Sequence, residues 1–97
     1  MQAVLNAISS PRRREILRLV WDRELSAGAI AARFDVSWPA ISQNLAVLRR
    51  AGLVIERRDA NRRYYRAEPR ALGSLKTALE EMWAQDLDQL RRVVEKG

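Results

Sequence analysis

Ser37–Val54, SWPAISQNLAVLRRAGLV, has a marked start, a marked stop and two unlike faces. Ser37 is placed as an N-cap, its hydroxyl able to accept a free backbone N–H of a first helical turn. Pro39 falls inside that turn, where a missing N–H removes nothing the helix needs. Ile41, Leu45 and Leu48 recur at i, i+4 and i+7, one stripe for burial. Gly52 stops the helix, since glycine enters the left-handed C′ conformation without a Cβ penalty. Pro39, Gln43, Ala46 and Arg50 point the other way, with Ala40 and Ser42 on the shoulders. No acid occurs from Ser37 to Ile55. A merely solvated helix usually mixes Glu and Lys on such a face. A helix entering a DNA major groove needs small side chains, an amide or hydroxyl for base edges, and nothing negative.

The flanks sharpen this. Upstream, Leu25-Ser26 begins a helix predicted over Ala27 to Phe34, with Ala27, Ile30, Ala31 and Phe34 inward. Asp35-Val36-Ser37 is then a three-residue turn, so the two helices form a helix-turn-helix. Downstream the period changes from 3.6 to 2. Leu53–Arg58 and Arg62–Ala67 are predicted strands, joined by Asp59-Ala60-Asn61, with Asn61 expected at the left-handed turn position. Five arginines flank that tip: Arg57, Arg58, Arg62, Arg63 and Arg66. An isolated hairpin is marginal in water, so this one must lie against the helices and project as a wing.

At the N-terminus, Met1, Val4, Leu5 and Ile8 have helical spacing, and Ser9-Ser10-Pro11 starts a second helix running to about Trp21. Arg12, Arg13 and Arg14 crowd its first turn, where cations oppose the helix dipole. A carboxylate, a phosphate or plain solvation would have to offset them. After Glu68-Pro69, a helix is predicted over about residues 70–95. Leu72, Leu75, Leu79, Met82, Trp83, Leu87 and Leu90 form its apolar seam. The preceding elements already use a core suited to about 70 residues. The seam is therefore expected to pair with a second copy, helped by Val4, Leu5 and Ile8; packing on its own domain is the alternative.

Composition narrows the class. Ninety-seven residues, 47% hydrophobic and 31% charged, suit one globular domain. No apolar run suffices for a membrane span and no export signal is visible, so a cytoplasmic protein is expected. The chain has no Cys and no His, hence no disulfide and none of the usual zinc, copper or nickel ligands. No cofactor is implied. The net charge is +6, and it is uneven. Residues 1–70 hold 14 Arg against 7 acids, whereas residues 71–97 hold 4 bases and 5 acids. From Arg49 to Arg66, 7 Arg face only Glu56 and Asp59. So localised an excess suggests a polyanion partner, and Arg favours bidentate phosphate or guanine contacts.

With these residues in this order, the chain resembles the ArsR-type winged helix-turn-helix repressors over nearly its whole length. SSPRRREILRLV is similar to the opening of that family's second helix. LSAGAIAARFDVSWPAISQNLAVLRRAGLVIERRDANRRYYR is similar to its helix-turn-helix and wing. LEEMWAQDLDQLRRVVE is similar to the last helix of the metal-free, SdpR-like branch. The resemblance implies a mainly α winged helix-turn-helix fold, four helices, a hairpin and a last helix, dimerising through the first and last helices. It also implies base reading by Ser37, Trp38, Pro39, Ala40, Ser42 and Gln43, with Asn61, Arg62 and Arg63 as wing contacts. Three positions depart from the family: Asn44 stands where His is frequent, Asn61 where Gly is, and Trp38 where a polar residue is. Trp38 would stack on sugar or a thymine methyl, or pack on the third helix, the latter preferred.

The expected function is a sequence-specific DNA-binding regulator, a repressor at a palindromic operator, with Arg50, Arg62 and Arg63 on phosphates. A winged-helix module for protein partners is the alternative. An enzyme is not expected, for the acids, such as Glu80-Glu81 with Asp86 and Asp88, scatter over helix faces. Relief of repression would come from a small ligand near Trp83, from a partner protein, or from neither.

Overall fold

The computed structural model describes the backbone of residues 2–96 and the side chains of residues 2–85. Helix α1 (Gln2–Ile8) leads into α2 (Pro11–Leu19), which starts where Ser10 Oγ accepts the Arg13 backbone N–H and Pro11 takes the first turn. A two-residue strand β1 (Leu25–Ser26) precedes α3 (Ala27–Ala31), with Ser26 Oγ accepting from the Ala29 N–H. Helix α3 is shorter than the sequence implied. Arg33 and Phe34 donate three residues back, to Ile30 and Ala31, and these tighter turns end the α-helix before Phe34. The connection into the next helix is correspondingly longer than three residues.

Helix α4 (Trp38–Arg50) is capped at both ends as its sequence requires. Ser37 Oγ accepts from the Ala40 N–H at 3.3 Å. At the other end Gly52 has φ +77°, its N–H donates to Arg49 O, and the Leu53 N–H donates to Leu48 O, a Schellman closure. Ile41, Leu45 and Leu48 are buried in one cluster with Ile16, Leu17 and Ile30.

Strands β2 (Val54–Asp59) and β3 (Arg62–Ala67) pair antiparallel from Val54 opposite Ala67 to Asp59 opposite Arg62. β1 adds to the far side of β3, so the sheet is three-stranded, ordered β1-β3-β2, where the sequence showed a hairpin. Its inner face carries Val54, Tyr65 and Ala67 into the core. The turn is Ala60-Asn61, and Ala60, not Asn61, holds the positive φ, +56°. The pairing of Asp59 with Arg62 dictates this, because it makes Ala60 the first of two turn residues.

The C-terminal part also departs from expectation. Pro69–Leu72 is a 3₁₀ turn, Gly73 follows with φ +57°, and α5 begins only at Leu75 and runs to Lys96. Leu72, Leu79 and Trp83, expected in a partner-facing seam, lie in the chain's own core; Val4, Ile8 and Leu75 pack half-buried against it. Trp83 meets the Trp21 ring edge-on at 4.9 Å, which fixes α5 to the end of α2. Leu5 and Met82 stay 47% and 43% exposed. Leu87 and Leu90 lie outside the described side chains. Among the described residues no helix is long and apolar enough to cross a membrane.

Candidate nucleic-acid interface

The N-terminal half of α4 and the tip of the β2–β3 hairpin face a common cleft of about 610 Å³. Trp38 and Ser42 line it from α4, Ser26 to Ala29 from the start of α3, and Asn61, Arg62 and Arg63 from the wing. Among the described residues no carboxylate lines it. Trp38 is 52% exposed and outside the core cluster, and it lines the cleft beside Ala27 to Ala29 of α3. Ser37, Pro39, Gln43 and Arg50 are exposed on α4 outside the cleft lining, and Ala40 is half-buried. Five of the ten expected DNA-contacting residues, Trp38, Ser42, Asn61, Arg62 and Arg63, thus surround one opening.

Asn44 behaves differently from its neighbours. Its amide donates to Ala40 O at 2.9 Å and its oxygen accepts from Arg13 Nη1 at 3.3 Å, so it is held inside the domain. The same Arg13 donates through Nε to Ala7 O at 2.7 Å and through Nη2 to Asn6 O at 3.0 Å. Arg14 adds a bond to Ile8 O at 2.8 Å. The cations that oppose the dipole of α2 are therefore offset by the carbonyls ending α1, where positive charge is favourable. The sequence offered carboxylate, phosphate or solvent for that role; a helix end fills it for Arg13 and Arg14.

The wing's charge is organised from within. Arg57 donates to Glu24 at 2.7 Å and lies over the Tyr64 ring at 4.7 Å, on the outer face of the sheet. That guanidinium holds the Glu24 carboxyl below its usual range, and the carboxylate in turn raises Arg57. On the inner face Glu56 lies near Arg49, Arg58 and Arg63, at 3.6, 3.5 and 4.0 Å, and accepts from the Tyr65 hydroxyl at 3.3 Å. Burial, with the Glu56 charge beside it, pushes the Tyr65 phenol up. From sequence Glu56, Arg49 and Arg58 entered only the charge count and the set of arginines around the tip, and their mutual pairing was not anticipated. The signal was present, for Glu56 occupies an inward position of an alternating strand, between Val54 and Arg58.

An α-helix with its side chains is about 10–12 Å across, close to the width of the DNA major groove. An exposed, acid-free helix face flanked by a basic hairpin can follow a duplex with the helix in the groove and the tip on the adjoining backbone.

Relatives of known role share this architecture. Residues 10–56 match the family model described as bacterial regulatory protein, arsR family. The chain is 34% identical over 89 residues to the HTH-type transcriptional regulator Rv2034 of Mycobacterium tuberculosis, covering 92% of this chain and 83% of that protein. It is 40% identical over 65 residues to the transcriptional repressor SdpR of Bacillus subtilis, covering 67% of this chain and 72% of that protein. The solved structure of HlyU from Vibrio cholerae superposes with a TM-score of 0.75 at 34% identity, covering 86% of this chain and 90% of that one. Fold, motif and relatives agree: the chain belongs to the ArsR family of bacterial regulatory proteins.

Proposed function

We propose that this protein is a cytoplasmic, sequence-specific repressor that binds a palindromic operator as a homodimer, as one winged-helix domain whose first and last helices join two copies. The observation that carries the reading is the exposed, acid-free face of α4, whose Trp38 and Ser42 share a cleft with Asn61, Arg62 and Arg63. Gln43 pairs with an adenine edge through its amide, Ser42 donates to a base edge or phosphate, and Trp38 lies against a sugar or thymine methyl. Arg50, Arg62 and Arg63 bind phosphates, which makes affinity fall steeply with salt. Exposed Leu5 on α1 and Met82 on α5 support the dimer, since large apolar side chains on two helices favour a covered face. Such a dimer sets two α4 helices about 34 Å apart, one turn of duplex. With neither His nor Cys in the sequence, relief of repression comes from a small molecule, a partner protein or neither, not from a transition metal.

Selection of bound sequences from random duplex tests this directly. The wild type should yield one palindrome, and Gln43→Ala should relax a single position per half-site, by about 1–3 kcal/mol. Arg62→Ala should weaken all sequences alike and flatten the salt dependence. An unchanged preference in Gln43→Ala would remove α4 as the reader. Absence of any duplex binding at low salt would favour a protein partner.

A further inference from the structure

Glu56 stands among the cations that give the wing its charge. β2 alternation turns it to the inner face, where its side chain is 13% exposed, while those of Arg49, Arg58 and Arg63 are 55%, 67% and 53% exposed. Its Oε1 faces Arg58 Nε at 3.5 Å and Arg63 Nε at 4.0 Å. Its Oε2 faces Arg49 Nη1 at 3.6 Å and accepts the Tyr65 hydroxyl at 3.3 Å. Two of these arginines belong to the hairpin and one to the last turn of α4, so a single carboxylate joins wing and helix. By contrast Arg50 and Arg62 make no ion pair among the described residues.

We propose that Glu56 is a specificity-determining residue: a built-in anion that competes with DNA phosphates for three arginines and so suppresses binding to non-operator sequence. This rests on the DNA-reading function proposed above. Binding to arbitrary duplex is almost wholly phosphate attraction, so a fixed negative charge among the cations subtracts from it directly. Operator binding also draws on base-edge contacts from α4, which Glu56 does not oppose and which lie on a helix it ties to the wing. The carboxylate thus lowers the competing background more than the specific complex, widening the ratio that matters in a genome of non-specific sites.

Glu56→Gln keeps the side-chain shape and an oxygen for the Tyr65 hydroxyl while removing the charge. Binding to a random-sequence duplex and to the selected operator is measured over about 50–200 mM salt. The expected result is random-duplex affinity up about three- to tenfold, with a salt slope steeper by about 1 for each arginine released, and operator affinity changed by less. Glu56→Asp keeps the charge and should stay near wild type on random duplex. Unchanged or reduced random-duplex affinity in folded Glu56→Gln, or equal losses of operator binding in both variants, would mean a structural role only and overturn the proposal. Should Glu56→Gln fail to fold, Arg49→Gln and Arg50→Gln decide. Arg50, unpaired, should flatten the slope by about 0.9, and Arg49, already offset, by clearly less; equal effects overturn the proposal. A wild type that binds no duplex would refute the DNA-reading function itself, a separate outcome.

Discussion

Arg13 carries a prediction that can be worked through from geometry. Its guanidinium donates to Ala7 O at 2.7 Å, Asn6 O at 3.0 Å and Asn44 Oδ1 at 3.3 Å, joining the end of α1 to the middle of α4. Arg13→Met keeps the aliphatic stem and removes all three bonds. Hydrogen bonds from a charged donor are worth about 1.5–3 kcal/mol each when well buried. These are half-exposed and one is long, so a combined loss of about 2–3 kcal/mol is reasonable. Taking a cation out of the first turn of α2 returns a few tenths of a kcal/mol. The net expectation is destabilisation by about 2 kcal/mol, or roughly 8–15 °C in Tm for a chain of this size. Arg12 is the matched control: the same helical turn, exposed, with no hydrogen bond or ion pair among the described residues. Arg12→Met should stay within about 0.5 kcal/mol of wild type and on the stabilising side. Urea unfolding at one fixed protein concentration separates them, because the proposed dimer would make stability depend on concentration. Equal losses in the two variants, or a loss under about 0.5 kcal/mol in Arg13→Met, would show that the guanidinium is merely solvated and that α1 is not held this way.

Three further outcomes are expected. Ala60→Gly should stabilise by about 0.5–1 kcal/mol in thermal melts, since a side chain is strained at φ +56° and the gain exceeds the added freedom of the unfolded chain. Leu5→Glu combined with Met82→Glu should shift sedimentation toward monomer while leaving the far-UV spectrum of the helices intact, because both positions are exposed in the single chain; an unchanged dimer would place the interface elsewhere. The bond from Arg57 holds the Glu24 carboxyl below its unfolded value, so the stability it adds is complete above the ordinary carboxylate range and is lost as pH falls through the folded value. The Tm difference between wild type and Glu24→Gln should therefore be present at neutral pH and close in acid; a gap that persists in acid would remove the ion pair as its source.

What the sequence disclosed, and what it hid, follows from where the information lies. Helix α4 was legible to the residue because cap, stripe and stop are local, and Ser37, Ile41-Leu45-Leu48 and Gly52 all specify one helix. The hairpin was legible from its change of period, yet the left-handed residue is Ala60, because strand register decides which residue occupies the first turn position. β1 was not legible: two residues show no period, and Leu25-Ser26 is a strand only because β3 offers its edge. The expected reading surface drew together at Trp38, Ser42 and the wing tip, with Trp38 half exposed at the cleft and outside the buried core.

The apolar seam divides between two uses: Leu72, Leu79 and Trp83 are buried in the chain's own core, while Met82, with Leu5 of α1, stays exposed. Spacing at three and four states that one face of a helix is buried and says nothing about what buries it. Leu79 and Trp83 take their own domain, and Leu72, cut off from α5 by Gly73, reaches the same core through a 3₁₀ turn. Charge counting fails in the same way. Seven arginines against two acids between Arg49 and Arg66 describes a basic segment correctly. It does not reveal that three of those arginines share Glu56 while Arg57 is held by Glu24, 33 residues upstream. The charge facing a partner is set by tertiary pairing, so a basic excess in a sequence is an upper bound on what DNA would meet.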